Sequence, residues 1–497
     1  MIVLFVLVVY ILNNTQGYAG FAGPHRDKIV ACYYTNWAIY RNGAGSFDIS
    51  NIDASLCSHL IYAFLGLDEN SFEIKILDPK QDLDIDGGKG GFKRVAALKE
   101  QHKHLKTIAS VGGWVEGSTK YSKMAADPRL RSIFVKSVVN FLTTHKFDGL
   151  DLHWDYPTER GGIPEDKTNY VSLIKELSEA FEPKGFILIG SLKSGPEEIA
   201  SIYDLVYVNF YFDFMNIIAY DYHGAWDGVV GPNAPLHGKS DNDVLSVEYS
   251  IIHLLANGVT PSKIILDIPT HGRTFIFKNP GVKSVVFGET ETKFSGFASE
   301  FSSAKGFIGY NEVCLAIANK SSNWVQEWHE PSSTPYLWDN ERFVSYDNPR
   351  SVANKVKFAM DHGIGGFALW SIVTDDFRGE CDDELNTYRD YVKRYNKISD
   401  QPILKEALVN LQNVNTSEFY EIKNDKVHLR LPQRKFSKFP LLRTIHDATN
   451  LALEEAKVLC EMQRLRGPKQ SSSCTRTCTE VCNYAVDNLQ AKIEEVF

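Results

Sequence analysis

Short apolar runs alternate with amphipathic segments along most of this chain. Between the runs, apolar residues recur at helical spacing, as in "NYVSLIKELSEAF". Strands that alternate with helices in this way are typical of a parallel sheet closed into a barrel with the helices outside. The pattern therefore predicts an α/β protein with a (β/α)8 TIM barrel. The eight predicted strands are 29–37, 59–67, 105–113, 149–157, 186–194, 214–223, 264–273 and 364–372.

The fourth predicted strand, within "FDGLDLHWDYP", has a crowded polar face. Positions 150, 152 and 154 are apolar, whereas Asp151, His153 and Asp155 are ionisable. This alternation places the three ionisable side chains on one side of a strand. Such groups repel or pair with one another and burial shifts their pKa values, so a row of this kind indicates a site more often than a scaffold.

One connection is much longer than the others, with about 90 residues between the seventh and eighth predicted strands. We expect residues 274–342, which are rich in Phe, Ser, Gly and Tyr, to form a small inserted α+β lobe. In such a barrel, polar residues at the carboxyl ends of the strands meet at one face. The candidate site is therefore a cleft at that face.

The composition of the chain and its N-terminal sequence restrict where the protein is expected to act and what it is expected to bind. A chain of 497 residues suits one large barrel with an appendage, and its net charge of −9 argues against nucleic acid and anionic membranes as partners. The N-terminal run "MIVLFVLVVYIL" is typical of a secretory signal peptide, predicted over residues 1–19, and is too short to span a bilayer comfortably. We expect the mature chain to be secreted, extracellular and free of the membrane; an uncleaved anchor is the alternative.

The eight cysteines fall into two sets of four. An even number in an oxidising compartment favours disulfides, and the spacing of the C-terminal set matches no common zinc pattern, so we predict no metal and no other cofactor. Asn319 and Asn415 begin glycosylation patterns. The two sets are Cys32, Cys57, Cys314 and Cys381, and Cys460, Cys474, Cys478 and Cys482.

Several stretches at the predicted strand ends resemble the chitinases of glycoside hydrolase family 18, most closely the insect-type enzymes. The resemblance implies a barrel domain over residues 28–393 and chitin or chitooligosaccharides as ligands. In that family a Glu protonates the glycosidic oxygen, and the substrate acetamide is the nucleophile. The stretches, in the family's order, are "YYTNWA", "IYAF", "SVGGW", "FDGLDLHWDYP", "MNIIAYDYHGAWD", "IPTHGRTF" and "GGFALWSIVTDDFRGEC".

The residues that would perform this chemistry differ here. The family pattern Asp-x-x-Asp-x-Asp-x-Glu corresponds to Asp148, Asp151, His153 and Asp155. Asp155 is one methylene shorter than Glu, which withdraws the carboxyl by about 1.5 Å, and such a displacement can cost on the order of 100-fold in rate. His153 replaces the Asp that holds the acetamide, and pairing with it would keep Asp155 ionised. The sequence therefore predicts that hydrolysis is lost or strongly impaired.

By the same resemblance, the rest of the cleft is lined for sugars. Trp370 would be the floor under the sugar beside the scissile bond, and Tyr220 with Asp221 would hydrogen-bond the acetamide carbonyl and the sugar hydroxyls. Ile218 stands where Met is usual and His271 where Tyr is usual, so the walls differ from the family pattern. The expected sugar contacts are Tyr33, Trp37, Phe64, Trp114, Tyr220, Asp221, Trp226, Arg273 and Trp370.

The resemblance also implies the disulfides Cys32–Cys57 and Cys314–Cys381. It stops near residue 400, and we expect residues 400–497 to form a polar linker followed by disulfide-stapled helices whose function the sequence does not indicate. Because the barrel motifs are complete by about residue 393, we expect a chain that ends near Ser399 to fold.

Three interpretations of the site stay open. The first is a protein that binds chitin or N-acetylglucosamine oligomers without cutting them. The second is a weak or altered chitinase that uses Asp155 as general acid. In the third, His153 is a core histidine with Asp155 as its counterion, and the barrel has kept no sugar site. The sequence indicates no particular protein partner.

Overall fold

The computed structural model describes residues 28–240, 243–319, 321–381, 387–390, 405–410, 420–423, 426–429 and 437–466. The predicted signal peptide, Asn415 and the cysteines at positions 474, 478 and 482 lie outside these residues, as does the side chain of Cys460. Within the described ranges, no helix is both long and apolar enough to cross a membrane.

Parallel strands close into a barrel, which confirms the predicted fold class. The strand Ile29–Thr35 pairs with His59–Leu67 on one side and with Gly366–Trp370 on the other, so the parallel sheet closes on itself. The strands in the described part of the chain are β1 (Ile29–Thr35), β2 (His59–Leu67), β3 (Ile74–Ile76), β4 (Lys106–Gly112), β5 (Gly149–His153), β6 (Ile187–Lys193), β7 (Phe214–Ile218), β8 (Ile264–Pro269), β9 (His271–Ile276), β10 (Ile308–Gly309), β11 (Val325–His329), β12 (Thr334–Trp338), β13 (Arg342–Ser345), β14 (Gly366–Trp370), β15 (Tyr420–Lys423) and β16 (Lys426–Leu429).

Helices connect most of the barrel strands, and local sequence sets their ends. In the helix Pro128–His145, Asp127 accepts a hydrogen bond from the Arg129 amide at 2.8 Å, and Lys146 ends the helix at a φ of 60°. The described helices are α1 (Pro79–Asp82), α2 (Gly91–Gln101), α3 (Thr119–Ala126), α4 (Pro128–His145), α5 (Asp166–Phe181), α6 (Pro196–Ile202), α7 (Leu205–Tyr211), α8 (Val247–Ala256), α9 (Tyr310–Ala318), α10 (Pro349–Asp361) and α11 (Pro440–Arg466).

The barrel interior is filled by small and branched side chains. Ile61, Ile108, Ile189, Ile265 and Ala368 form one buried cluster inside the strands. The barrel is therefore a packed core, and a ligand can enter only at its ends.

Seven of the eight barrel strands end before the predicted position, and three of them end four or five residues before it. β5 ends at His153 and β7 at Ile218, so the polar residues beyond them lie in loops at the carboxyl end of the barrel. β8 ends at Pro269, and the chain then enters β9, which belongs to a different sheet. The prediction of one strand over 264–273 is therefore wrong at its end, because residues from His271 onward pair with β13 and β10 instead.

The long connection between β8 and β14 contains a second, five-stranded sheet in the order β10-β9-β13-β12-β11, together with α9. It is the inserted α+β lobe expected from the sequence. A disulfide joins Cys314 on α9 to Cys381 beyond β14, with 4.9 Å between the Cα atoms. The second disulfide, Cys32–Cys57, ties β1 to the segment before β2 across 5.9 Å. Both links agree with the pairing implied by the family resemblance.

The helix α11 packs against the barrel helix α10, although it lies in the segment that the sequence analysis treated as an extension. Its first turn is held by Asp375, whose carboxylate accepts the amides of Leu441 at 3.3 Å and Leu442 at 3.0 Å. Because these groups are buried, we revise the expectation that a chain ending near Ser399 folds as the full chain does. Buried apolar residues of this helix and the residue before it are Phe439, Leu441, Leu442, Ile445, Ala448, Leu451, Ala452 and Val458.

Candidate functional site

Asp151 is held inside the barrel by three hydroxyl groups. Its Oδ2 accepts hydrogen bonds from Tyr33 at 3.0 Å and Ser110 at 2.6 Å, and its Oδ1 accepts one from Ser191 at 2.8 Å. The Tyr33 hydroxyl also accepts a hydrogen bond from Asn216 at 2.7 Å. All these groups are buried. The network fixes the position of Asp151 below the carboxyl end of β5.

His153 lies between two carboxylates. Its Nδ1 is 3.5 Å from Asp151 Oδ2, and its Nε2 is 3.4 Å from Asp155 Oδ1. These distances suit ion pairs and are long for hydrogen bonds. Burial disfavours the charged imidazole, but the charges of Asp155 and Asp151 outweigh it and raise the pKa of His153 to about 10. His153 is therefore a cation at neutral pH.

Asp148 lies away from this row. It precedes β5, at the amino end of the strand, where its carboxylate accepts the Thr107 amide at 2.7 Å and pairs with Lys99 at 2.9 Å. Asp151, His153 and Asp155 stand at the carboxyl end. The structure thus brings together three of the four motif positions named from the sequence. The fourth, Asp148, instead connects the start of β5 to the backbone of Thr107 on β4.

Aromatic rings form a continuous surface beside His153. The Trp370 ring stacks on Phe64 with centroids 5.6 Å apart and meets Tyr33 edge-on at 5.0 Å. Phe64 in turn stacks on Trp37 at 5.8 Å. Trp37 and Trp370 line a cavity of about 570 Å³. The stacked rings Trp37, Phe64 and Trp370 thus form one apolar cluster, and its Trp370 ring lies 5.8 Å from the His153 ring.

Trp114 is 61% exposed and Trp226 is 51% exposed. An arginine lies against each ring. The guanidinium of Arg160 lies 3.6 Å from the Trp114 ring centre, and that of Arg273 lies 5.3 Å from the Trp226 ring centre. Arg160 also donates to the backbone oxygen of Asp155 at 3.0 Å. The sequence analysis missed Arg160, since "PTERGG" gives no signal for it.

Asp221 is held by two residues of β9. Arg273 donates to both of its carboxylate oxygens, at 2.6 and 2.5 Å, and His271 Nε2 lies 3.1 Å from Oδ1. Burial raises the pKa of Asp221, but Arg273 and His271 overcome this and hold it well below its usual range. His271 thus supports the Arg273–Asp221 pair. The presence of His in place of the usual Tyr therefore leaves this side of the cleft lined by polar side chains.

A further acid, Asp267 on β8, faces the same interior and was also missed by the sequence analysis. Its Oδ2 accepts a hydrogen bond from the Tyr220 hydroxyl at 3.1 Å, and its Oδ1 is buried without a hydrogen-bond partner among the described residues. Burial is the main cause that raises the pKa of Asp267 to about 8. The available signal was an acid in the otherwise apolar run "IILDIP", two positions from the inward-facing Ile265.

These features belong to a known family. Residues 29–375 match glycosyl hydrolases family 18. The chain belongs to this family.

Relatives within family 18 include named chitinases and a binding protein. The "Probable chitinase 2" of Drosophila melanogaster is 40% identical over 444 residues, 88% of this chain and 83% of that protein. The crystal structure of the Group IV chitinase of Ostrinia furnacalis superposes with a TM-score of 0.70 at 33% identity, covering 85% of this chain and 100% of that one. Human YKL-39, described as a pseudo-chitinase with retained chitooligosaccharide binding properties, superposes with a TM-score of 0.65 at 28% identity, covering 74% of this chain and 99% of that one.

The similarity to the Drosophila melanogaster relative extends past the segment that carries the sequence motifs. An alignment over 88% of this chain cannot be contained in residues 1–400. The match to the family itself ends at residue 375, in agreement with the expectation that the family resemblance stops before residue 400. The longer alignment agrees with the packing of α11 on the barrel, because a helix that completes the core belongs to the same fold.

Proposed function

We propose that this chain is a secreted chitinase-like protein that binds chitin or N-acetylglucosamine oligomers in the barrel cleft, with hydrolysis lost or strongly impaired. The observation that carries the proposal is the contact of His153 Nε2 with Asp155 Oδ1 at 3.4 Å. Asp155, which stands where the family has its proton donor, is thus engaged in an ion pair.

The first step concerns proton donation. A general acid must carry a proton and reach the leaving oxygen. The Asp155 carboxyl lies 3.4 Å from the His153 imidazole, which is charged at neutral pH, so a cation already occupies one of its oxygens. Asp155 is also one methylene shorter than the Glu of the family pattern. Both properties oppose protonation of a glycosidic oxygen.

The second step concerns the nucleophile. In substrate-assisted hydrolysis the acetamide attacks and acquires positive charge, which an adjacent carboxylate stabilises. The cation His153 stands at that position and would destabilise the same charge. Asp151 remains, but its oxygens are already bound to Tyr33, Ser110 and Ser191.

The third step concerns binding, which needs neither of these groups. Trp370 and Trp37 line the cavity, and sugar rings stack on tryptophan rings with their C–H groups. YKL-39 combines a pseudo-chitinase description with chitooligosaccharide binding, and the Ostrinia furnacalis Group IV chitinase has been solved with allosamidin. Both relatives support a carbohydrate ligand for this cleft.

Secretion is supported by the leader-like N-terminus and by the two disulfides, since disulfides persist in oxidising compartments. The domain division proposed with it comprises a signal peptide over 1–19, a barrel domain over 28–393 with the lobe at 274–342, and the segment 400–497. In this proposal α11 of the last segment is part of the barrel core.

The test is to measure binding and turnover on the same purified full-length chain. Calorimetry with N-acetylglucosamine tetramers should show saturable binding. A fluorogenic chitooligosaccharide should release its fluorophore no faster with the protein than in buffer alone. Turnover that Asp155→Ala abolishes would favour the weak hydrolase instead. Absence of binding would leave only the barrel scaffold.

A further inference from the structure

Asp267 is a buried acid that the proposed binding mode leaves without a role. It lies on β8 opposite Ala368 of β14 and Ile218 of β7, and it is 1% exposed. One carboxyl oxygen contacts the Tyr220 hydroxyl at 3.1 Å, and the other, although fully buried, has no hydrogen-bond partner within the described ranges. A buried carboxylate in this condition is costly, so the group needs a physical explanation.

The charged and titratable groups around Asp267 come from three elements. Tyr220 follows β7, Asp151 and His153 lie on β5, and Tyr33 lies on β1. The β14 partner Ala368 carries no charge. Burial raises the pKa of Asp267 to about 8, the Tyr220 hydrogen bond and the His153 charge lower it, and the Asp151 charge raises it. The carboxyl is therefore mostly protonated below pH 8 and ionised above it.

The single hydroxyl hydrogen of Tyr220 limits the bonds that this side chain can form. A phenol has one hydrogen to donate and can accept at its oxygen. When Asp267 is ionised, it can only accept, so it takes the Tyr220 hydrogen. When Asp267 carries its own proton, it can donate to the Tyr220 oxygen, and the phenol hydrogen is free to turn toward the cleft. In that state the two hydrogen bonds form a chain that strengthens both.

We propose that Asp267 is a positioning residue that decides whether the Tyr220 hydroxyl can donate a hydrogen bond to a ligand carbonyl in the cleft. This rests on the proposed function, in which the ligand is an N-acetylated sugar whose acetamide carbonyl meets Tyr220. The group favoured by this device is an uncharged hydrogen-bond acceptor such as an amide carbonyl. Binding of such ligands is coupled to retention of one proton by the protein.

The experiment is calorimetric titration of the full-length chain with the N-acetylglucosamine tetramer from pH 6 to pH 9. The wild-type affinity should be level below pH 7 and about tenfold weaker at pH 9, because a ligand carbonyl loses its donor. Asp267→Asn cannot ionise, and its amide can still donate to Tyr220, so its affinity should stay level across the range. The raised pKa of His153, about 10, keeps its own titration above most of this window.

The matched control is Asp213→Asn. Asp213 is another acid whose pKa is raised by burial, but it precedes β7 at the opposite end of the barrel, where it accepts the Leu188 amide at 2.8 Å. This variant should keep the wild-type loss of affinity at pH 9. Thermal unfolding of each variant checks that it is folded.

The outcomes separate this inference from the proposed function. Binding at no pH overturns the proposed function. Binding that is equally tight at pH 6 and pH 9 in the wild type, or an equal loss in Asp267→Asn, overturns the role of Asp267 alone. If Asp267→Asn does not fold, Tyr220→Phe decides the question. It should bind weakly and without pH dependence, and a retained tenfold loss at pH 9 would contradict the proposal.

Discussion

The imidazole of His153 lies against the carboxylate of Asp155, with 3.4 Å between Nε2 and Oδ1, and both side chains are buried at the carboxyl end of the barrel. The same ring faces Asp151 on its other side at 3.5 Å. One cation thus stands between two acids at the position where a family 18 chitinase would need a protonated acid and a free carboxylate. The ion pair links the local sequence change directly to the proposed loss of catalysis.

Restoring the family residues should restore chemistry only when both positions change. We expect the double variant His153→Asp, Asp155→Glu to hydrolyse chitooligosaccharides, and each single variant to be at least about 100-fold slower, because the acid and the acetamide holder act as a unit. Release of a fluorophore from a chitooligosaccharide measures this. A double variant that binds the tetramer normally without any turnover would contradict it and place further damage in the walls around Ile218 and His271.

Removing the aromatic floor should weaken sugar binding without unfolding the protein. Trp370→Ala removes the ring that stacks on Phe64 and lines the cavity, and we expect a loss of about 1–3 kcal/mol in binding free energy. Trp338→Ala is the control, since this ring lies on β12 of the lobe, bonded to Glu327. Calorimetry that gives equal losses for both variants would show a general effect on stability.

The charge on His153 should make stability depend on pH. Its pKa is about 10 in the folded chain and near the ordinary 6.5 in the unfolded chain. The folded state thus holds a proton that the unfolded state releases, so this contribution is full below pH 6.5 and is lost as the pH rises toward 10. The difference in unfolding free energy between wild type and His153→Gln should fall by roughly 1–3 kcal/mol over this interval.

Urea unfolding at several pH values between 6.5 and 10 measures that difference. The control is His59→Gln: His59 is also buried, but burial lowers its pKa to about 4, so it is neutral throughout the interval. Its difference from the wild type should not vary with pH. A pH-independent difference for His153→Gln would mean that the imidazole is neutral in the folded protein.

The helix α11 should be required for the stability of the barrel. Ile445 is fully buried between this helix and the barrel, so Ile445→Ala should lower the unfolding free energy by about 2–5 kcal/mol. Lys457→Ala on the same helix removes an exposed ion pair with Glu454 and should change it by less than about 1 kcal/mol. Chemical denaturation of both variants tests this.

A chain that ends near Ser399 lacks this helix and also leaves the buried carboxylate of Asp375 without the amides of Leu441 and Leu442. We expect such a chain to be insoluble or to unfold at a markedly lower temperature. Recovery of a truncated chain with the unfolding temperature and tetramer affinity of the full chain would show that α11 contributes nothing essential.

The sequence by itself determined the barrel and the row of ionisable residues at the carboxyl end of β5. Each of the eight apolar runs that predict the strands consists of residues adjacent in the chain. The period of two along "GLDLHWDYP" likewise determines which side chains lie on the same face of a strand, whatever the surrounding fold. The motifs around Trp370, Tyr220 and Asp221 likewise lie at strand ends, so a parallel barrel brings them to one face. These features could be predicted because each depends on residues close together in the chain.

Only the tertiary structure decided how the groups are paired. The 3.4 Å contact of His153 with Asp155, the orphaned oxygen of Asp267 beside Tyr220 and the stacking of Arg160 on Trp114 depend on side-chain directions and on burial. The docking of α11 depends on contacts between residues more than 300 positions apart, such as His446 Nε2 with the Leu56 oxygen at 2.7 Å. Burial controls the cost of each charge, and burial is a property of the packed chain, so no local pattern contains it.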